Sequence, residues 1–280
     1  MNLALTRTGD ATLVVGAAAV AYAAASLTWS PGPVLVPAIH LATLVAAFTI
    51  GYYWAYTFET VAKIYLGAVG VAWIMWMMAG LLNPNFIGCA LAFGIAVAIA
   101  IEAWFVVLIF GPMLYLTGSR GAIVAGGIVG LAALWRHSRL ASICVALAAI
   151  VIALSHRQMG ESLFNRIGIW QDAINNLSVW GAGWGSFQTA HAALDIRRNV
   201  GNMVAPWAYN DALQLIFELG IGSIFVWFFL AMIFGRAHRI FKFIGIGFVA
   251  CGLTYSPLWL PVIPQILVFM LGVSHRETTS

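Results

Sequence analysis

The chain has 280 residues, of which 62% are hydrophobic and only 8% are charged, and its mean hydropathy is +0.96. Soluble domains carry about 45–50% apolar and about 25% charged residues. The composition therefore excludes a soluble globule, a disordered chain and a disulfide-rich scaffold. It predicts an all-α integral membrane protein.

Apolar segments follow one another along most of the chain. A helix needs about 20 mostly apolar residues to cross a bilayer. The run 86–117 would extend roughly 48 Å as one helix, so we divide it near Glu102. We predict a single polytopic domain, residues 1–280, with about 10 transmembrane helices in these segments: 11–29, 34–56, 61–82, the two halves of 86–117, 119–135, 140–155, 211–234, 241–254 and 258–273.

Basic residues predict the orientation of these helices in the membrane, and we attribute the net charge of +4 to this role. They cluster between predicted crossings and after the last one, at Arg136, Arg139, Arg236, Arg239, Lys242 and Arg276. All fall on one side if the crossings alternate, and the positive-inside rule makes that side cytoplasmic. Both termini are then cytoplasmic and the long loop 156–206 faces outward. Without the division near Glu102, the first three segments would invert.

Arg120 lies on the predicted outer face, within T-G-S-R-G-A at residues 117–122. A guanidinium fork suits phosphate oxygens, and the flanking glycines allow another group to approach closely. The alternative is an arginine that extends to the lipid headgroups.

The outer loop begins with a helical pattern at residues 161–177. Apolar side chains recur there at steps of three and four, which predicts an interfacial helix: Phe164, Ile167, Trp170, Ile174 and Leu177. Arg166 and Trp170 are neighbours on its surface, although Arg166 can equally be a solvated side chain.

The glycines of residues 181–187 predict a tight structural turn. We expect His191 to be a solvated loop residue and the loop tryptophans, including Trp184 and Trp207, to form an interfacial belt; stacking on sugars is the alternative.

The last predicted outward element begins at Tyr209-Asn210-Asp211. Asp211 and Glu218 are seven residues apart and fall on nearly one face of a helix. Carboxylates near a membrane are costly, so they usually serve function or pair with a base. The alternative is a salt bridge to an outer-face arginine.

Four segments, in this order, resemble the membrane core of the O-antigen ligase and O-antigen polymerase superfamily: T-G-S-R-G-A, N-R-I-G-I-W, G-A-G-W-G-S-F and Y-N-D-A-L-Q-L-I-F-E-L-G-I-G. The resemblance covers roughly residues 83–234. It implies a glycosyltransferase of lipopolysaccharide biosynthesis in the bacterial inner membrane, with 156–206 as a periplasmic loop. Such enzymes move a glycan from undecaprenyl pyrophosphate to a growing glycan or to lipid A core, without a metal or other cofactor.

By this resemblance, Arg120 and Arg166 match two arginines that grip the pyrophosphate, with Ser119, Trp170 and Asn210 as further substrate-binding residues. Ligases of the family carry a histidine, a plausible general base, where this chain has Tyr209. A tyrosine with a pKa of about 10 is a poor base at neutral pH. Tyr209, Asp211 and Glu218 are therefore the candidate catalytic residues, and His191 is a further substitute base.

Two other functions stay open. A non-catalytic membrane protein that binds or inhibits a polysaccharide polymerase fits the short chain and Tyr209. A small transporter or flippase is the other, although the sequence has no convincing internal repeat.

The cysteines Cys89, Cys144 and Cys251 lie in apolar runs without a second ligand at metal-binding spacing, so they predict buried thiols and no metal site.

Overall fold

The computed structural model describes residues 2–54, 56–79, 83–136, 138–144, 159–194, 208–236, 239–254, 257–259 and 263–279. Regular structure in these ranges is helical throughout, with no strand, so the all-α prediction is confirmed. The α-helices are α1 (Asn2–Ser26), α2 (Leu35–Tyr53), α3 (Phe58–Ala79), α4 (Pro84–Ala100), α5 (Trp104–Leu116), α6 (Arg120–Trp135), α7 (Met159–Asn175), α8 (Phe187–Ala193), α9 (Asp211–Leu219), α10 (Ser223–Arg236), α11 (Arg239–Thr254) and α12 (Ile263–Thr279). Residues 139–144 are also helical.

Several helical stretches in the described ranges are apolar and of membrane-crossing length. Those long enough to cross are Ala11–Trp29, Leu35–Tyr53, Phe58–Ala79 and Asp211–Phe234. Shorter apolar helices are Pro84–Ala100, Trp104–Leu116, Arg120–Trp135 and Ile263–Val273. These helices indicate a multi-pass membrane protein. About ten crossings stays a prediction, and residues 145–155 of one predicted crossing lie outside the described ranges.

The long apolar run is broken where its charge predicts. α4 ends at Ala100, α5 begins at Trp104, and Glu102 between them has a left-handed φ of +58°. The Asn83 side chain caps the start of α4 by accepting a hydrogen bond of 2.8 Å from the backbone N–H of Asn85. The division near Glu102 is confirmed.

The segment 211–234 is one apolar stretch but two helices. α9 ends at Leu219, and Gly220 follows with a φ of +53°. A short 3-10 helix, Gly220–Gly222, then leads into α10. Glycine adopts this conformation without a Cβ clash, which explains the position of the break.

The chain divides into two compact units. The first unit contains Met1–Tyr56, Asn165–Ala237 and Leu258–Ser280, and the second contains Thr57–Phe164 and His238–Pro257. One core cluster of the first unit brings together α1, α2 and α9 through Ala23, Leu41, Leu44, Trp184, Leu215 and Leu219.

The second unit is organised around α4, which packs against α3, α5, α6 and α11. Small residues allow the close approach of these helices. A Cβ on Gly88 would overlap Ser119 and Ala122 of the α6 region, and one on Gly247 would overlap Ala96. Close backbone packing of this kind is typical of membrane helices.

Candidate functional site

Three of the four segments that carry the family resemblance fold against one another within the first unit. Residues 181–187, called the glycine turn below, run beside the end of α9. The backbone N–H of Ala182 donates to Phe217 O at 2.9 Å, and that of Gly183 donates to Glu218 O at 2.7 Å. Gly181, Gly183 and Gly185 all have positive φ values, of 74°, 103° and 72°. The predicted structural turn is confirmed.

Glu218 holds this turn in shape. Its Oε2 accepts a hydrogen bond of 2.6 Å from the backbone N–H of Gly185, and its Oε1 accepts one of 3.1 Å from that of Phe187. The Gln214 side chain also donates to Oε1, at 3.0 Å. The glutamate side chain is fully buried. Both carboxyl oxygens are therefore engaged, which gives Glu218 a positioning role.

Arg166, on α7, contacts Tyr209, which lies two residues before the start of α9. The Arg166 Cζ atom lies 5.4 Å from the centre of the Tyr209 ring, within the range of a cation–π contact. Tyr209 is one of two non-glycine residues with positive φ in the described ranges, at +54°. Such strain costs about 1–3 kcal/mol and persists only where neighbours fix the backbone.

The neighbours of Tyr209 supply that restraint. Trp170 Nε1 donates to Ala208 O at 2.8 Å, and the backbone N–H of Ala208 donates to Gln214 Oε1 at 3.0 Å. Asn210 caps α9, because its Oδ1 accepts a hydrogen bond of 3.1 Å from the backbone N–H of Leu213. The structure thus brings Arg166, Trp170, Tyr209 and Asn210 into one place, and it assigns Asn210 a capping contact.

The surroundings of Tyr209 determine its protonation. Burial raises the pKa of the Tyr209 phenol above its ordinary value of 10.0, and the positive charge of Arg166 opposes that rise without cancelling it. The phenol therefore stays protonated at neutral pH. It can donate a hydrogen bond, but it cannot serve as the base that a histidine would supply.

Asp211 is the first residue of α9 and is 4% exposed. Its Oδ2 accepts a hydrogen bond of 3.1 Å from the backbone N–H of Leu258. Its Oδ1 is buried and has no hydrogen-bond partner. Of the two carboxylates predicted to share a face, Asp211 is thus the one with an unused acceptor.

Ser119 and Arg120 lie in the second unit. Arg120 begins α6 and is exposed, whereas Ser119 precedes it and is 5% exposed. The backbone N–H of Ser119 donates to Thr117 Oγ1 at 3.2 Å, and Gly118 has a φ of +65°. Arg166 belongs to the first unit, so the meeting of both arginines on one pyrophosphate stays a prediction.

Three expectations for individual side chains are wrong. His191 is not solvated: it is 3% exposed and stacks on Phe187 with ring centres 5.3 Å apart, because α8 turns its ring into the core. Trp184 does not join an interfacial belt, since the glycine turn carries it into the core of the first unit at 3% exposure. Cys144 is exposed, although Cys89 and Cys251 are buried. Trp207 lies outside the described residues.

Sequence reasoning missed His40, Trp259 and Gln265. All three lie in apolar segments, where an isolated polar side chain is the only signal in the sequence. With Trp184 and Asp211 they form a group that we call the polar–aromatic cluster. No group of three or more His, Cys, Asp or Glu side chains within the described ranges is arranged to hold a metal ion.

No protein-family model matches this chain, and no curated protein matches it. The family resemblance therefore rests on the four sequence segments alone.

Proposed function

We propose that this protein transfers or polymerises a glycan carried on undecaprenyl pyrophosphate at the outer face of the bacterial inner membrane, as an O-antigen polymerase or ligase. The observation that carries the proposal is the contact of Arg166 with the strained Tyr209, in a frame fixed by Trp170 and the glycine turn. A cationic group held beside a restrained loop is suited to a lipid-borne anion at a membrane surface.

The chemistry follows from the charge that develops during transfer. An acceptor hydroxyl attacks the anomeric carbon of the donor, the bond from that carbon to the pyrophosphate oxygen breaks, and the hydroxyl proton passes to a base. The leaving pyrophosphate gains negative charge, which Arg166 and Arg120 stabilise more in the transition state than in the ground state. Guanidinium groups supply this stabilisation without a metal ion.

The remaining site residues have distinct parts in this proposal. Tyr209 donates a hydrogen bond from its phenol, and Asp211 is the candidate proton acceptor because its Oδ1 is unused. Glu218 acts through the glycine turn that it holds. Trp170 and Asn210 fix the backbone on either side of Tyr209, and Ser119, directly before Arg120 at the start of α6, is a further substrate-binding residue.

The proposal includes a topology of about ten crossings with both termini in the cytoplasm. The loop 156–206 then lies in the periplasm, on the side where a finished lipid-linked glycan is presented. The acceptor is lipid A core or a growing glycan.

One observation favours a second function, a non-catalytic protein that binds or inhibits a polysaccharide polymerase. Tyr209 replaces the histidine of the family's ligases, and its pKa is raised by burial. Glu218 is committed to the glycine turn. With Tyr209 in place of histidine and Glu218 engaged in the turn, the protein keeps Arg166 to bind a lipid-linked anion but has fewer groups that could activate a hydroxyl.

A lipid-linked oligosaccharide assay tests the proposal. The purified full chain is incubated with undecaprenyl-pyrophosphate-linked oligosaccharide, with and without acceptor. We expect Arg166→Ala and Arg120→Ala each to reduce transfer by about 10²–10³-fold, as the loss of one transition-state donor does elsewhere. Arg166→Lys keeps the charge but loses the planar fork, so it should recover only part of the rate.

Arg139 provides the matched control. Its guanidinium lies 5.9 Å from the ring centre of Trp135, so it too is an aromatic-paired arginine, on the predicted cytoplasmic side. Arg139→Ala should leave transfer within about twofold of wild type, since it removes no transition-state contact. Full activity in both Arg120→Ala and Arg166→Ala would overturn the pyrophosphate role. Wild-type protein that yields no product, yet slows chain extension by a separate purified polymerase, would support the second function.

A further inference from the structure

The polar–aromatic cluster consists of His40, Trp184, Asp211, Trp259 and Gln265, all in the first unit. The imidazole of His40 stacks against both indoles, with ring centres 6.1 Å from Trp184 and 5.7 Å from Trp259. The two indoles are 4.4 Å apart between ring centres. Three aromatic rings from distant parts of the chain therefore meet at one point.

Hydrogen bonds connect the polar members of the cluster through Leu258. His40 Nε2 lies 3.0 Å from Leu258 O, and the backbone N–H of Leu258 donates to Asp211 Oδ2 at 3.1 Å. The Gln265 amide nitrogen lies 3.1 Å from Thr43 Oγ1 and 3.3 Å from His40 Nδ1. Both ring nitrogens of His40 are therefore within hydrogen-bond distance of a polar partner.

Four polar atoms of this cluster are buried and have no hydrogen-bond partner: Trp184 Nε1, Trp259 Nε1, Asp211 Oδ1 and Gln265 Oε1. An unsatisfied buried donor or acceptor costs about 1–3 kcal/mol, and native proteins contain few of them. Two unused donors and two unused acceptors lie on residues that His40 and Leu258 connect, and together they indicate a missing binding partner.

The chemistry of the unused atoms selects the class of that partner. An indole N–H cannot bind a metal ion, and a carboxyl oxygen disfavours a phosphate. A hydroxyl group both donates and accepts, so a molecule with several hydroxyls can satisfy all four atoms. Aromatic faces beside such atoms suit the apolar C–H face of a sugar ring.

We propose that the polar–aromatic cluster binds a sugar ring through its hydroxyl groups. The choice of a sugar rests on the proposed function, because a glycan transferase needs a sugar-binding subsite beside its pyrophosphate-binding arginines. Trp184 belongs to the glycine turn, and Asp211 follows Tyr209 by two residues, so the cluster is continuous with the site at Arg166. His40, Trp259 and Gln265 are only partly buried, so one side of the cluster is partly exposed.

The test measures sugar binding without any transfer reaction. The purified full chain in detergent is titrated with methyl α-glucoside, methyl β-galactoside and N-acetylglucosamine in separate thermal-unfolding experiments. Sorbitol at equal concentration corrects for the general stabilisation that polyols give by exclusion from the protein surface. We expect a saturable rise in melting temperature with at least one sugar, since a ligand that binds only the folded state stabilises it.

The variants test the location. Asp211→Asn keeps the shape but presents an amide N–H in place of one carboxyl oxygen, and Trp184→Phe removes an indole donor. Each should weaken binding at least tenfold. Trp259→Phe gives the same test at a partly exposed position if Trp184→Phe fails to fold. Trp180→Phe is the matched control, because Trp180 lies in the same loop and is 64% exposed; it should bind as wild type does.

No saturable shift beyond sorbitol with any of the three sugars would overturn the inference, since the unused atoms would then hold ordered water only. A shift that persists in Asp211→Asn and in the tryptophan variants would also overturn it, because the sugar would then bind elsewhere. Binding that depends on the cluster in a protein without transfer activity supports the inference and contradicts the proposed enzyme. Transfer activity without cluster-dependent sugar binding would support the proposed enzyme and contradict the inference about the cluster.

Discussion

The two units bury different kinds of side chain. The buried polar side chains described in the second unit are hydroxyls only, at Thr117, Ser119 and Ser142. The first unit buries carboxylates, an amide and an imidazole as well, at Asp172, His191, Asp211, Gln214 and Glu218. Buried ionisable groups are costly in a membrane protein and are kept mainly where they serve function. Among the described residues, the first unit therefore holds the buried carboxyl and imidazole groups, while the second is a closely packed helical unit.

Substitution of Glu218 should give the largest effect on stability. Glu218→Ala removes the acceptor for the backbone N–H groups of Gly185 and Phe187 and for the Gln214 amide. Each buried donor that loses its acceptor costs about 1–3 kcal/mol, so unfolding of the first unit should become several kcal/mol easier. Thermal unfolding in detergent, followed by tryptophan fluorescence, measures the change.

Glu218→Gln is the conservative partner of that variant. It keeps one carbonyl acceptor and the volume of the side chain, so it should lose distinctly less stability than Glu218→Ala. Equal losses in the two variants would contradict the role of the carboxylate in holding the glycine turn. Glu59→Ala supplies a surface reference, because its ion pair with Lys63 is exposed and contributes at most about 1 kcal/mol.

A packing change in α4 should affect the second unit instead. Leu91 is fully buried, and Leu91→Ala should cost about 2–5 kcal/mol through lost contacts and a residual cavity. Buried Cys89 and Cys251 report on this unit, so their labelling by a thiol reagent should accelerate in a Cys144→Ser background that removes the exposed thiol. Leu108→Ala, at a position 76% exposed, should leave the labelling rate close to that of the parent.

Cysteine labelling in the second unit and sugar binding in the first unit should both be measured in the same variants. Leu91→Ala should leave sugar binding at the polar–aromatic cluster unchanged at temperatures where the chain remains folded. If it abolishes that binding, the chemistry of the first unit depends on the packing of the second, and the contrast between them is wrong.

Tyr209 should produce the smallest effect, visible only at alkaline pH. Its folded-state pKa lies above the ordinary value of 10.0, so the folded chain holds its proton more tightly than the unfolded chain does. The associated stability is fully present below about pH 10 and is lost as the pH rises beyond it. Tyr209→Phe should remove that part of the alkaline loss.

Melting temperatures of wild type and Tyr209→Phe, measured from pH 8 to pH 11, provide the check. The curves should be parallel below about pH 10 and converge or cross above it. Parallel curves over the whole range would contradict the raised pKa.

Much of the helical framework could be predicted from sequence because apolar segments and their breaks are local features. The division near Glu102 and the bend at the glycine turn follow from single residues in long patterns. The contact of Arg166 with the segment that begins at Tyr209 could not be predicted, because no local periodicity connects α7 to α9. The polar–aromatic cluster could not be predicted as a group, because His40, Asp211 and Gln265 become neighbours only in the folded chain.

The difference between local features and long-range contacts also explains the wrong predictions. His191 and Trp184 lie in a polar stretch, where the average composition predicts exposure. Burial there depends on how α8 and the glycine turn fold onto α9, which is a long-range effect. The turn also needs close contact between main chains: a Cβ on Gly181 would overlap the backbone of Glu218, and one on Gly220 would overlap that of Val179.

The loop segment and α9 are joined largely through main-chain hydrogen bonds, from Ala182 to Phe217, from Gly183 to Glu218 and from Ile221 to Val179. Such bonds are available to almost any residue type, whereas the close approach requires glycine. Evolution can therefore replace most side chains of this joint without altering its course. Distant relatives of this protein should be recognisable by the spacing of Gly181, Gly183, Gly185 and Gly220 long after other identities have been lost.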